Sequence, residues 1–221
     1  MSALIVYGNM LSPAVMRVMA CFNEKELKFQ FVPVEMRAGE HKKEPFISLN
    51  PFGQIPAFED GDVKLFESRA ITRYIANQYE EEGANLVVNG KGKQMASFAL
   101  CMEVEAHQFD PLASKLAFEL VIKAYLGMTT DETVVEETKE KFAKILDVYE
   151  ARLSGSKFLA GDEFTLADLH HFPNLHYLMS SPIKEMFGSR PHFLAWCTDI
   201  LARPSWVKVL QMQKEDYNLI S

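Results

Sequence analysis

The spacing of hydrophobic positions changes character once along the chain. Up to about residue 83, short strand-like runs alternate with helical ones. ALIVY predicts a first strand, PAVMRVMACFNEK repeats its apolar positions at helical spacing, and FQFVPVE alternates as a second strand. AGEHKKEPFISLNPFGQ predicts a short helix followed by a loop. IPAFEDGDVKLF then predicts two strands joined at the turn-forming cluster Asp60-Gly61-Asp62. ESRAITRYIANQYEEEG closes the series as a helix predicted to stop at Gly83. The predicted order is β-α-β-α-β-β-α.

Beyond residue 90 the period is helical throughout. QMASFALCMEVEAHQFD and LASKLAFELVIKAYLG meet at Asp110-Pro111, where proline predicts a kink or a break. DETVVEETKEKFAKILDVYEARL places Phe142, Ile145, Leu146, Tyr149 and Leu153 on one stripe. TLADLHHFPNLHYLMS, PHFLAWCTDILAR and PSWVKVLQMQKEDYN predict further helices. Thr165 and Asp168 have the spacing of a capping box, with Phe164 placed to staple against Leu169. The polar stretch EEEGANLVVNGKG joins the halves, so a mixed α/β unit over residues 1–82 precedes an all-helical unit over 90–221.

Composition narrows what these units do. At 221 residues, 48% hydrophobic and 24% charged, the chain can bury a substantial core. A net charge of −7 opposes binding to nucleic acid or to an anionic membrane surface. The sequence offers no apolar run of membrane-spanning length and no signal-peptide pattern at its start, which makes the expected compartment the cytoplasm. Cys21, Cys101 and Cys197 are odd in number and widely spaced, so they read as buried thiols rather than a disulfide framework or a metal site. His170, His171 and His176 do not face one another at their helical spacing, and no metal site is expected.

The stretch GNMLSPAVMRV carries the first candidate for chemistry. Serine at an N-cap followed by proline at the first helical position is a favoured helix start, so Ser12 has a sufficient structural role as a cap. A second role is open to it. Without a neighbouring general base the hydroxyl is not a nucleophile, but it can donate a hydrogen bond to a thiolate held at the helix N-terminus.

Four segments, LSPAVMRV, EHKKEPFISLNPFGQIPAFEDGD, LFESRAITRYIA and FLAGDEFTLADL, together resemble the cytosolic glutathione transferases, and among them the phi class found in plants. The resemblance implies a thioredoxin-like N-terminal domain that binds glutathione. It also implies an all-α C-terminal domain contributing a hydrophobic electrophile site, and a homodimer. Glutathione enters as a co-substrate, with no prosthetic group. A cis bond between Ile55 and Pro56, with Gln54 before it, would turn the Ile55 backbone toward the cysteinyl segment of the ligand. Ser68 would take the γ-glutamyl carboxylate and Glu67 would accept from its ammonium. His41 and Lys42 would hold the glycyl carboxylate near Gln54.

Each of these residues also has a plain structural reading: a strand-start proline, an acidic residue favourable to a helix dipole, a solvated basic run. Met10, Leu11, Phe118 and Tyr177 are the candidates for an electrophile pocket, and Phe118 and Tyr177 read equally as core.

The expected activity is conjugation of glutathione, ionised with the help of Ser12 as the catalytic residue, to hydrophobic electrophiles; reduction of organic hydroperoxides is a second activity in the same site. The alternative is a binding and transport protein for aromatic metabolites such as flavonoids. A charge-assisted hydrogen bond of about 1.5 to 3 kcal/mol, with a dipole contribution of about 0.3 to 1, lowers a thiol pKa by roughly 1.5 to 3 units. A two-unit fall from about 8.5 raises the thiolate fraction at pH 7 roughly 25-fold, of which about 8-fold is lost again as the sulfur becomes less nucleophilic. Most acceleration must then come from holding the electrophile beside the sulfur.

Overall fold

The computed structural model describes residues 3–89 and 91–220, so Gly90 of the joining stretch lies outside the described residues, as do the side chains of 216–220. The chain forms two compact units. Met1–Val87 groups with Pro204–Ser221, and Val88–Arg203 forms the other.

The first unit is built on a four-stranded sheet. Strands β1 (Leu4–Gly8), β2 (Gln30–Pro33), β3 (Ala57–Asp60) and β4 (Val63–Phe66) lie in the order β2-β1-β3-β4. β1 is parallel to β2 and antiparallel to β3, and β4 closes a hairpin on β3 across the predicted turn. Helix α1 (Pro13–Glu24) follows β1 and buries Val15, Met16, Val18, Met19 and Phe22. Gly8 permits so abrupt a start: a Cβ there would lie 2.5 Å from Val15 Cγ2. A separate cluster of Val34, Phe46 and Ala57, with Tyr7, Met36, Leu49 and Ile55 packed against it, seats the segment between β2 and β3.

Two predicted elements of this unit take a different form. The short helix after β2 is a pair of 3-10 turns, Glu40–Lys42 and Phe46–Ser48. Pro45 stands between them; it has no N–H to donate and disfavours helical backbone at Glu44. Helix α2 (Ser68–Gln78) ends well before Gly83, its last turn closed by Tyr79 N–H on the Ile75 carbonyl. The buried Lys25 donates to the carbonyls of Glu80 (3.2 Å) and Ala84 (2.9 Å), while Ala84 N–H donates to Glu24 O (2.9 Å). Gly83, at φ +53°, sits where a Cβ would lie 2.4 Å from Glu24 O. That glycine serves a close approach of two chain segments, not a helix stop.

The second unit begins with a helical run from Lys93 to Tyr125: α3 (Lys93–Val104), a π turn Glu105–Phe109, α4 (Asp110–Ala117), a π turn Phe118–Ile122 and α5 (Lys123–Tyr125). The predicted break at Asp110-Pro111 is therefore a π turn with helical backbone on both sides. Pro111 sits in the first turn of α4, and the wider π turn before it accommodates the missing donor. Helices α6 (Glu132–Leu153), α7 (Leu166–Leu169), α8 (Phe172–Met179) and α9 (Pro191–Leu201) complete the unit. Phe109, Phe142, Tyr149, Phe193 and Trp196 form its aromatic centre around His171.

The last helix, α10 (Pro204–Ile220), belongs to the first unit rather than to the span 90–221 that chain order suggests. Asn23 donates to Ser205 O (3.1 Å), Ser205 Oγ donates to Glu24 (2.5 Å), and Gln213 donates to Met10 O (3.1 Å). Among the described residues no helix is long and apolar enough to cross a membrane.

Candidate active site

The turn between β1 and α1 holds Ser12 with its backbone rather than its side chain. Ser12 N–H donates to Asn9 O (2.9 Å), Leu11 N–H to Asn9 Oδ1 (3.0 Å), and Met16 N–H to Ser12 O (3.0 Å). Ser12 takes extended backbone (φ −79°, ψ 122°) at the N-cap, yet among the described residues its hydroxyl makes no capping hydrogen bond. The cap position is thus filled while the hydroxyl stays uncommitted, half-buried at the positive end of a twelve-residue helix. Met10, just before it, is buried with its carbonyl held by Gln213, and Leu11 is 42% exposed.

Tyr7 is the other hydroxyl close by in sequence, and it is spoken for. It donates to Glu59 Oε2 at 2.5 Å, and this bond, with burial and the carboxylate charge, pushes its pKa up to about 12. Lys64 lies 3.2 Å from the same carboxylate, which the Tyr7 bond holds below the usual range. A hydroxyl donating to a fixed carboxylate is not free to ionise a thiol.

The N-terminus of α2 makes a second polar place. Glu67, the N-cap, is exposed and adopts φ +68° and ψ 107°, a conformation that L residues rarely occupy and that is associated with functional sites. Ser68 is buried and accepts a hydrogen bond from Arg17 Nη1 (2.9 Å), so α1 and α2 meet at this residue through side chains. Arg17 sits on the buried face of α1, where nothing in the local sequence signals function.

The third place is the junction of the first 3-10 turn with the loop before β3. Lys42 Nζ donates to Phe52 O (3.2 Å), and Gly53, at φ +57°, brings the loop so near that a Cβ would lie 2.7 Å from His41 O. His41 Nδ1 is buried without a hydrogen-bond partner among the described residues. Buried Asn50 organises the loop: it donates to Gln54 O (2.6 Å) and accepts from Phe52 N–H (3.0 Å). Gln54 is exposed, Pro56 is buried, and the Ile55-Pro56 peptide bond is cis. Asn50 was also missed, although Asn before Pro marks a turn.

Phe118 and Tyr177 belong to the second unit. Phe118, in the second π turn, is 40% exposed, with Lys123 Nζ 5.9 Å from its ring centroid. Tyr177 on α8 is 5% exposed, so nearly all of its surface is spent in packing. His170 lies 3.7 Å from Glu105, and His171 shares a hydrogen bond with Tyr149 (2.9 Å). Burial pushes the thiols of Cys21, Cys101 and Cys197 up, which keeps them protonated and unreactive.

These places fit what the rest of the sequence is similar to. The family description "Glutathione S-transferase, N-terminal domain" matches residues 2–77, and "Glutathione S-transferase, C-terminal domain" matches residues 109–204. A glutathione S-transferase of Hyoscyamus muticus is 60% identical over 95% of this chain and 98% of its own. The chain belongs to the glutathione S-transferase family. Among solved structures, glutathione transferase F7 from Populus trichocarpa superposes with a TM-score of 0.91 at 44% identity, covering 96% of this chain and 99% of that one. Glutathione S-transferase I from maize, solved in complex with an atrazine glutathione conjugate, gives 0.89 at 38% identity over 96% and 99%. Within the family this transferase groups with the phi class of plants.

Proposed function

We propose that this glutathione transferase binds reduced glutathione on its first unit and conjugates the thiolate to hydrophobic electrophiles. Ser12 donates a hydrogen bond to the sulfur, the charge of which is also favoured by the N-terminus of α1. The sulfur forms a bond to the electrophilic carbon, and the leaving group departs with the displaced electron pair. Ser68 and the first N–H groups of α2 take the γ-glutamyl carboxylate, Glu67 accepts from the ammonium, and the Ile55 backbone pairs with the cysteinyl peptide. His41, Lys42 and Gln54 hold the glycyl carboxylate. Leu11 on the first unit and the exposed face of Phe118 on the second are each open to an electrophile, whereas Met10 and Tyr177 are buried and act through packing. The working species is a homodimer, as family membership implies; a single-chain mass in sedimentation equilibrium would count against it.

The observation that carries this reading is the uncommitted Ser12 hydroxyl at the N-cap, beside a Tyr7 hydroxyl that is already engaged. A protein that only binds and transports aromatic metabolites has no need of a donor there. The test is the pH dependence of turnover in Ser12→Ala. Near pH 6 turnover falls by about 5- to 10-fold, and the deficit closes near about pH 7.5 and reverses above it, because base restores the lost thiolate and the variant's sulfur is the more nucleophilic. At pH 6, where the thiol is mostly protonated, glutathione affinity changes by less than about threefold, since the other ligand contacts remain. Equal turnover of both proteins at pH 6 removes Ser12 from the reaction.

A further inference from the structure

Arg17 is buried in α1, 3% exposed, and its Nη1 donates to Ser68 Oγ at 2.9 Å; Ser68 is itself 5% exposed. A serine hydroxyl has one hydrogen and two acceptor lone pairs. The bond from the guanidinium uses a lone pair and leaves the hydrogen for another acceptor. A hydroxyl that accepts from a cation is also polarised toward donation, and charge-assisted bonds are the shorter and stronger kind. Around Ser68, the first N–H groups of the eleven-residue α2 have no acceptor within the helix and point toward the same end.

We infer that Arg17 is a positioning residue for the reaction: it fixes the rotamer of Ser68 so that Oγ–H faces the γ-glutamyl carboxylate, and it sets a positive charge behind that hydroxyl. The consequence is selectivity. The site favours a thiol peptide that carries the α-carboxylate of its γ-glutamyl residue over one that lacks it. Lysine does not replace arginine here, because a guanidinium holds its donors in a rigid plane whereas an ammonium does not. The inference rests on the reading that Ser68 takes this carboxylate.

The experiment compares two ligands on five proteins by equilibrium binding: wild type, Arg17→Met, Arg17→Lys, Ser68→Ala and the Ser68→Ala/Arg17→Lys double variant. One ligand is glutathione, the other 4-aminobutanoyl-cysteinylglycine, which is glutathione without the γ-glutamyl carboxylate. The wild type prefers glutathione by about 10- to 100-fold. Arg17→Met abolishes most of that preference by weakening glutathione binding about 10-fold, while its affinity for the analogue stays within about threefold of wild type. Arg17→Lys, which keeps the charge and the stem and serves if the methionine variant does not fold, gives an intermediate preference. In a Ser68→Ala background, Arg17→Lys changes the preference no further. Equal weakening of both ligands by the Arg17 substitutions makes the residue a packing element and overturns the inference, as does an unchanged preference. A wild type that binds both ligands equally well overturns instead the assignment of Ser68, and the inference with it.

Discussion

Tyr7 and Ser12 show how little separates a structural hydroxyl from a chemical one. Tyr7 points its proton at a carboxylate on the neighbouring strand, and Ser12 points its own at nothing among the described residues. The helix start was legible from Ser-Pro alone, but what the hydroxyl does at the cap was not, since the same two residues begin a helix with or without a side-chain bond. Gly53 is a further case in which a single atom matters. An alanine there meets a left-handed backbone, costing about 1 to 2 kcal/mol, and places its Cβ 2.7 Å from His41 O. Gly53→Ala therefore pushes the His41-Lys42 turn from the Gln54 loop and raises KM for glutathione about tenfold, with kcat nearly unchanged because the Ser12 turn is untouched. Steady-state kinetics check this, and an unaltered KM contradicts it.

Among the elements, α7 is the one whose start the local pattern specified best. Thr165 accepts from Ala167 N–H, and Asp168 returns a bond from Thr165 N–H at 3.1 Å. Asp168 goes beyond a cap: it also accepts from Leu159 N–H and Trp196 Nε1, each at 3.0 Å, in full burial. Phe164, expected to staple onto Leu169, stacks on Phe172 with centroids 5.7 Å apart. Burial pushes the Asp168 carboxyl up to about 6 against the hydrogen bonds that favour its charge. Between pH 4 and 6 the folded chain therefore keeps a proton that the unfolded chain has released. The contribution of Asp168 to stability is full below pH 4 and falls, by about 3 kcal/mol, as pH rises through 6. Urea unfolding of wild type and Asp168→Asn should show a stability gap that narrows from pH 4 to 6, and a widening gap contradicts the assignment. Sequence pattern missed the two π turns because residues on either side keep helical spacing. Likewise, the 3-10 turns around Pro45 look like one short helix in sequence because apolar spacing does not distinguish tight turns from α-helix.

Across the whole molecule, the switch from alternating strands and helices to helices alone marked both halves and the order of the sheet's strands in sequence. What periodicity could not convey was the return of α10 to the first unit, because the contacts that bind it, Asn23 with Ser205 and Met10 with Gln213, join residues some 180 to 200 positions apart. Those contacts matter to function, since Gln213 holds the carbonyl two residues before Ser12. For the proposed glutathione site, the sequence supplies candidates where a motif is continuous, at His41-Lys42, Gln54 to Pro56 and Glu67-Ser68. It supplies none where one helix supports another, as Arg17 supports Ser68. Catalysis turns on the charge of a single sulfur, and a titration of the thiolate absorbance of glutathione bound to the wild-type protein and to Ser12→Ala reads it directly. The expected apparent pKa is about 5.5 to 7 on the wild type, against about 8.5 for an unperturbed thiol, with most of that shift lost in Ser12→Ala. A bound thiol that titrates like the free one, or an equal shift in both proteins, contradicts it.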